Sequence, residues 1–575
     1  MSTPPLAPSW PYCARGADPA TDPVGCRGIH VPGHTACLAH LTDTDRDAYL
    51  TGLTPGADID HRGTPFTEDL LNRLLTALRD PATTHPHLGE ARFQSAQFTG
   101  DARFDWTRFS GDAWFDEARF SGEVWFAAAQ FSGHAFFLRT QFSRVAMFVE
   151  AEFAGSTIFN RAQFAGDARF DSAHFSSDAR FVGVRVTGNG QFDRATFSMT
   201  SRFGPIVCSG MLDLSGAVFQ TPVTLEMAAR EVQFVQTRWD STATVRLRYA
   251  SADLSYAVLT APVAVTAHPA PFAAGGVVDE SLLSGAVDVR VTSVQGVDAV
   301  HLVLTDTDVS DCLFSGAFHL DQLRLEGRTI FAPPPTGWHR RGIWIGRWTR
   351  RRALAEEHHW RARAAGQSAV PAGTVPPTDR WRTGPHHPSP ARTPDPDDVV
   401  AIYRQLRKAF EDGKDEPGAA DFYYGECEMR RHDRTGNSRV ERGLLWGYWL
   451  LSGYGLRASR ALGWLAASML ATIVLLMAFG LPASSPKQEA TGAVPPGGGK
   501  VTFTIDKQDP KNPAGDRFTS KRFDKALNIT LNSVVFRSSG QDLTTAGTYI
   551  EMTSRLLEPA LLALAVLAIR GRIKR

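Results

Sequence analysis

Phenylalanine recurs along one stretch of this chain with a regularity that few folds tolerate. It occupies positions 93, 98, 104, 109, 115, 120, 126, 131, 137, 142, 148, 153, 159, 164, 170, 175 and 181. The spacings alternate five and six, so the period is eleven. Two residues before each Phe stands a small or β-branched side chain, among them Ala91, Ala96, Ala102, Thr107, Ala113 and Val124. A helix turning every ~3.6 residues cannot keep both rows on one face, and plain strand alternation needs longer runs. A solenoid can, if each short side sends one Phe and one small residue inward before turning a corner. Ser110-Gly111-Asp112, Ser121-Gly122-Glu123 and Ala165-Gly166-Asp167 mark the wider corners.

This pattern resembles the pentapeptide-repeat family, whose chains wind into a right-handed four-sided β-helix from units with a small residue two positions before Leu or Phe. Here every second step carries an extra residue, and Phe replaces Leu almost throughout. Two five-residue and two six-residue sides make a coil of 22, so Phe93, Phe115, Phe137, Phe159 and Phe181 should stack in one column. The resemblance implies a mainly β fold, a right-handed quadrilateral β-helix. Each buried Phe contributes roughly 1.5–3 kcal/mol, which makes the rings scaffold rather than a ligand site.

At 575 residues the chain should hold several domains, and its formal net charge of +1 creates no global field for nucleic acid. Between Ala91 and Phe203 12 acidic residues face 12 arginines, which disfavours the acidic DNA mimicry known among pentapeptide-repeat proteins. Asp101, Asp112, Asp167 and Asp178 are spread around the corners and do not gather into the carboxylate groove of a polysaccharide-cleaving β-helix. No nucleophile motif or phosphate loop is present, so the chain reads as non-enzymatic. Six cysteines make no disulfide framework in a chain this long.

The domain reading runs as follows. Residues 1–60 are an irregular Cys/His segment, where Cys13, Cys26, Cys37 and His40 have the donors for a structural zinc site, with His30 and His34 as competing ligands. The bland alternative is free thiols in a loop region. Residues 61–90 hold an amphipathic helix, Thr64 to Asp80, that caps the solenoid. The β-helix spans 91–330, with a break near 266–280 where Pro269, Pro271 and Gly275-Gly276 cluster. Residues 331–396 form a linker rich in Pro, Arg and Trp, suited to an anionic membrane surface, to RNA through stacking and phosphate contacts, or to a solvated tether. Residues 397–460 give a helical hairpin and an apolar interfacial segment, Leu444 to Leu451.

Residues 461–575 read as a two-span membrane module with an extracytoplasmic loop at 483–548. Ala461 to Leu481 is long and apolar enough to cross a bilayer. A second span follows, where Glu551, Arg555 and Glu558 form one polar stripe. Such a stripe should face a partner helix, another subunit or water, or pair internally just outside the bilayer. Arg570, Arg572, Lys574 and Arg575 after the second span, with Arg457 and Arg460 before the first, place both termini in the cytoplasm. The helix expected at 523–536 and the Thr544-Thr545-Ala546-Gly547 that follows resemble a potassium-channel pore module, although the second filter glycine is missing. The leading expectation is a membrane-anchored scaffold whose β-helix binds a cytoplasmic protein. The alternative is an oligomeric, ion-channel-like protein, a homo-oligomer gated by that domain.

Overall fold

The structure is a computed structural model that describes residues 7–18, 22–273, 275–336, 338–341, 344–368, 377–384, 394–484, 488–492, 496–497, 504–507 and 510–573. It divides into two compact units, Met1–Asp415 and Glu416–Arg575.

The first unit is built on a parallel β-solenoid of about 11 turns. In its regular part, strands pair with the strand 22 residues later on each of four sides, as in Gln130↔Glu152, Ala135↔Thr157, Gln141↔Gln163 and Ala146↔Ala168. Phe93, Phe115, Phe137, Phe159 and Phe181 stack in one column with centroid separations of 5.2, 5.1, 4.6 and 5.3 Å. Rings of adjoining columns meet edge to face, as Phe104 and Phe115 do at 5.6 Å. All are essentially inaccessible to solvent.

The alternation of five and six has a backbone cause. Five-residue steps turn through a left-handed residue, including Ser95, Trp106, Glu117, Ala128 and Arg139, whose φ values lie between 51 and 58°. That conformation costs energy for a side chain with a Cβ, but it aims the N–H at the next coil, as in Ser95 N to Asp116 O at 2.8 Å. Six-residue steps bend at a polar corner, where Asp101 and Asp112 accept from the N–H groups of Glu123 and His134 at 3.0 and 2.8 Å. A Cβ on Gly133 would lie 2.6 Å from the backbone of Gly111, so coils approach closely there.

The solenoid begins before the first Phe repeat, because Ile59 pairs with Ala91 and Pro65 with Gln97. The N-terminal segment is not wholly irregular: Asp43–Thr51 is a helix, α1, capped by Thr42. Helix α2, Glu68–Ala77, is shorter than the expected 64–80 and starts at the Thr67 cap. It occupies the first coil ahead of strand Ala102–Arg103 and buries Leu70, Leu71, Leu74 and Leu75.

Later coils shorten to 20 residues, as Val218↔Arg238 and Arg238↔Val258 show. An excursion after Ala267 returns at Arg290, and its Phe272, Val278 and Leu283 cover Val207 and Ala228. The ion pair of Arg248 and Glu280, 3.0 Å and buried, pins it.

The expected linker is in part folded. It contains α3, Ala355–Ala364, which packs with α4, Pro396–Asp412. Some of its Arg and Trp residues are drawn together: Trp348 and Trp381 flank the buried Arg361 guanidinium at 5.1 and 4.8 Å, while Arg350, Arg363 and Arg380 stay exposed. Phe331 meets Phe410 of α4 at 5.8 Å, closing the C-terminal end of the aromatic core. Residues 369–376 and 385–393 of that stretch lie outside the described residues.

The second unit is helical: α5 (Glu416–His432), α6 (Arg439–Ser452), α7 (Ala458–Leu475, continued by a π turn through Gly480), α8 (Ser520–Val534) and α9 (Thr545–Ile573). The expected hairpin is thereby split, with α4 in one unit and α5 in the other. Ala458–Gly480 and Thr545–Arg570 are long and apolar enough to cross a membrane. Ile473, Leu476 and Met477 pack on Ala526 and Ile529 of α8. Thr545, Ala546 and Gly547 already belong to α9, so no filter-like strand forms there; helix packing captured them. Lys574 and Arg575 lie outside the described residues, as do several segments of the loop at 483–548.

Two adjacent acids in α3 respond oppositely to the same burial. Burial alone would raise Glu357, but Arg351 and Arg361 outweigh it and hold that carboxyl below its usual range. Glu356 has no such cation, and burial pushes it up to about 7 although it accepts from the N–H groups of Phe314 and Ser315. The Cys312 thiol near it is itself held protonated by burial. A folded-state value above the ordinary 4.5 means the Glu356 contribution is complete below pH 4.5 and is lost as pH rises through 7. In urea unfolding the wild-type chain should lose about 3 kcal/mol relative to Glu356→Gln across that window; the difference between the two isolates Glu356, because buried His61 and His358, held well below the usual imidazole range by burial, push stability the other way.

Candidate metal centre and polar groups of the apolar helices

Antiparallel backbone pairing near the N-terminus joins Cys13 N to Gly28 O and Ala14 N to Cys26 O, both at 2.9 Å. Cys37 begins a 3₁₀ turn, Leu38–His40, which swings His40 back toward its thiol. The ligand atoms of Cys13, Cys26, Cys37 and His40 all lie within 4.8 Å of one another. Cys13 Sγ and Cys37 Sγ are each 3.4 Å from His40 Nδ1, and Cys26 Sγ is 3.7 Å from Cys37 Sγ. A tetrahedral ion at about 2.3 Å from sulfur and about 2.0 Å from nitrogen sets edges of about 3.8 and 3.5 Å, so this group can hold a metal.

Its surroundings favour that use. The Cys37 thiol first, then the Gly28 N–H and His40, stabilise the Cys26 thiolate, the species that ligates, and against burial hold its pKa down at about 5. Gly28 admits the group, because a Cβ there would fall 2.8 Å from Cys37 Sγ. His30, an expected competitor, is taken by the Tyr12 carbonyl at 2.9 Å, and His34 is not part of the group. Cys208, Cys312 and Cys427 are buried elsewhere as packed thiols.

The Glu551, Arg555 and Glu558 stripe of α9 does not pair internally. Glu551 accepts from Ser539 N at 3.1 Å, Arg555 donates to Phe536 O at 3.3 Å, and Glu558 accepts from the Thr472 hydroxyl of α7 at 2.9 Å. Each polar group is thus taken by a different neighbour in its own chain. Glu558 is fully buried, and its Oε2 meets no partner among the described residues.

Sequence reasoning did not find Thr472, Gly480 or Arg522. Gly480 and Gly547 meet so closely that a Cβ on Gly547 would lie 2.4 Å from Gly480 O. Arg522 donates to the carbonyls of Met477, Leu481 and Pro482 at 2.9, 2.8 and 3.0 Å, closing the end of the first apolar helix. A glycine ending an apolar run and a lone Thr within it were the available signals.

Neither a curated protein nor a solved structure matches this chain. Residues 85–130, 137–185 and 148–196 match the family model described as "Pentapeptide repeats (9 copies)". The Phe-rich stretch at the centre of the first unit is thus made of pentapeptide repeats, which is the family its coil geometry also displays.

Proposed function

We propose that the protein is a non-enzymatic scaffold, anchored in a membrane by α7 and α9, whose solenoid offers its outer surface to a cytoplasmic protein. One observation carries the reading: the solenoid interior is filled by phenylalanine, so its chemistry is confined to the outside. Outward residues on one side stack Trp114 on Phe136 at 3.9 Å, with Ile158 in the next coil. Such an apolar ladder on a rigid face suits a protein partner better than a nucleic acid. Arg457 and Arg460 at the start of α7 and Arg570 and Arg572 near the end of α9 support cytoplasmic termini.

The alternative, an oligomeric channel-like protein gated by the solenoid, draws on the buried and half-satisfied Glu558. The two readings separate in proteoliposomes. The full chain should resist alkaline carbonate extraction yet produce no ion flux above empty vesicles; release by carbonate sinks the anchor. Flux that Glu558→Gln abolishes establishes the channel instead.

The Cys13, Cys26, Cys37 and His40 group is assigned to structural zinc, for which its three thiolates and imidazole are suited. Zinc here would tie the N-terminal segment to the first coil, where Ile29 N already bonds Arg62 O at 2.8 Å. Elemental analysis should find about one zinc per chain, falling to about a tenth in Cys37→Ala with a lowered melting temperature. Cys208→Ala should keep its zinc.

A further inference from the structure

We propose that α8 dips into the leaflet on the side of the 483–548 loop and lies with its outward side against lipid acyl chains, as a third, half-inserted element of the membrane module. This rests on the membrane reading of α7 and α9 and adds to it a lipid contact for α8.

Polar bonds at its two ends fix the depth of α8. Near its start, Arg522 bonds the carbonyls of Met477, Leu481 and Pro482, where the first apolar helix ends. Past its last turn, the Phe536 carbonyl accepts from Arg555 at 3.3 Å, and Ser539 N donates to Glu551 at 3.1 Å. Gly547 is the residue of α9 that meets Gly480 at the end of the first helix. Glu551 and Arg555 stand about one and two turns further along α9, about 6 and about 12 Å at ~1.5 Å per residue. So α8 starts level with the helix ends and finishes below them, within the half of the span that it adjoins.

The outward side of α8 changes in the same direction. Ala526, Ile529, Thr530 and Ser533 are its buried residues. Its first half exposes Lys521, Asp524 and Lys525. Its far end exposes Leu531, Val535 and Phe536, at 51, 64 and 63%. Phe523, Leu527, Leu531 and Val535 recur at every fourth position and make one stripe. Leu527 also packs on Ile473, Leu476 and Met477, so the stripe continues a surface that α7 presents. Asn528 and Asn532, bonded to each other at 3.3 Å, mark the polar margin.

A helix that is charged at its shallow end and apolar at its deep end matches the gradient across a leaflet. Lys521 and Lys525, with Asp524 between them, leave one positive charge at the level of lipid phosphates. Arg537, exposed just past α8, has the length to carry its charge back to the interface. The stripe is Phe, Leu, Leu and Val, without the small side chains through which a second copy would approach closely in a bilayer.

The test places the photoreactive residue p-benzoylphenylalanine at single positions of the full chain in phosphatidylcholine vesicles and weighs the cross-linked products. Leu531→p-benzoylphenylalanine should give several-fold more lipid adduct than Asn528→p-benzoylphenylalanine on the polar margin. Leu470→p-benzoylphenylalanine, at a 62% exposed position of α7, reports the membrane reading by itself. Lipid captured at 470 but not at 531 overturns the inference and leaves the anchor standing. So does a second copy captured at 531, or an equal lipid yield at 531 and 528. No lipid at 470 removes the anchor, and the inference with it.

Discussion

Phenylalanine stacked on phenylalanine, coil upon coil, is the contact on which the first unit depends. Parallel strands stand about 4.8 Å apart, and aromatic faces also prefer roughly that separation when offset. The observed columns at 4.5 to 5.3 Å satisfy both demands at once. Because the two spacings agree, each 22-residue coil of the Phe-rich stretch keeps its ring contacts and its ladder bonds together, whereas the 20-residue coils that follow keep the ladder with the Phe219 and Trp239 rings 6.4 Å apart. The strict alternation of five and six follows from that agreement, with left-handed turns at one pair of corners and Asp-capped, glycine-lined turns at the other.

A ladder of this kind has two ends, and the chain closes each with helices. At the start, four leucines of α2 are buried in the first coil. At the finish, Phe410 of α4 meets Phe331, and buried charges are neutralised by direct pairing around Glu357. Among the described acids around it, Glu356 is the one that burial pushes up to about 7.

How much was legible in the sequence follows from the range of the interactions. The Phe period revealed the coil length and the columns, because side-chain periodicity is local information. The left-handed corners were hidden, since Trp106, Glu117 and Arg139 are not residues that announce such a conformation. The Cys37 and His40 pair was readable from one turn of spacing. Its union with Cys13 and Cys26, and the removal of His30, depended on long-range pairing of backbone. The residues around Trp348, Arg361 and Trp381 looked like a tether because the composition there is basic and aromatic; guanidinium–indole contacts between distant positions draw these three side chains together instead. Likewise the polar stripe of α9 was visible, while its separate partners Ser539, Phe536 and Thr472 were not.

The central claim, a 22-residue coil locked by ring stacking, can be measured by cross-linking its surface. Gln141 and Gln163 are exposed and directly opposed on neighbouring coils, at the strand spacing that a disulfide bridges without distortion. The double variant Gln141→Cys/Gln163→Cys should close a disulfide readily under mild oxidation, whereas Gln141→Cys/Arg161→Cys should not. A bond in the second pair and none in the first would contradict the account.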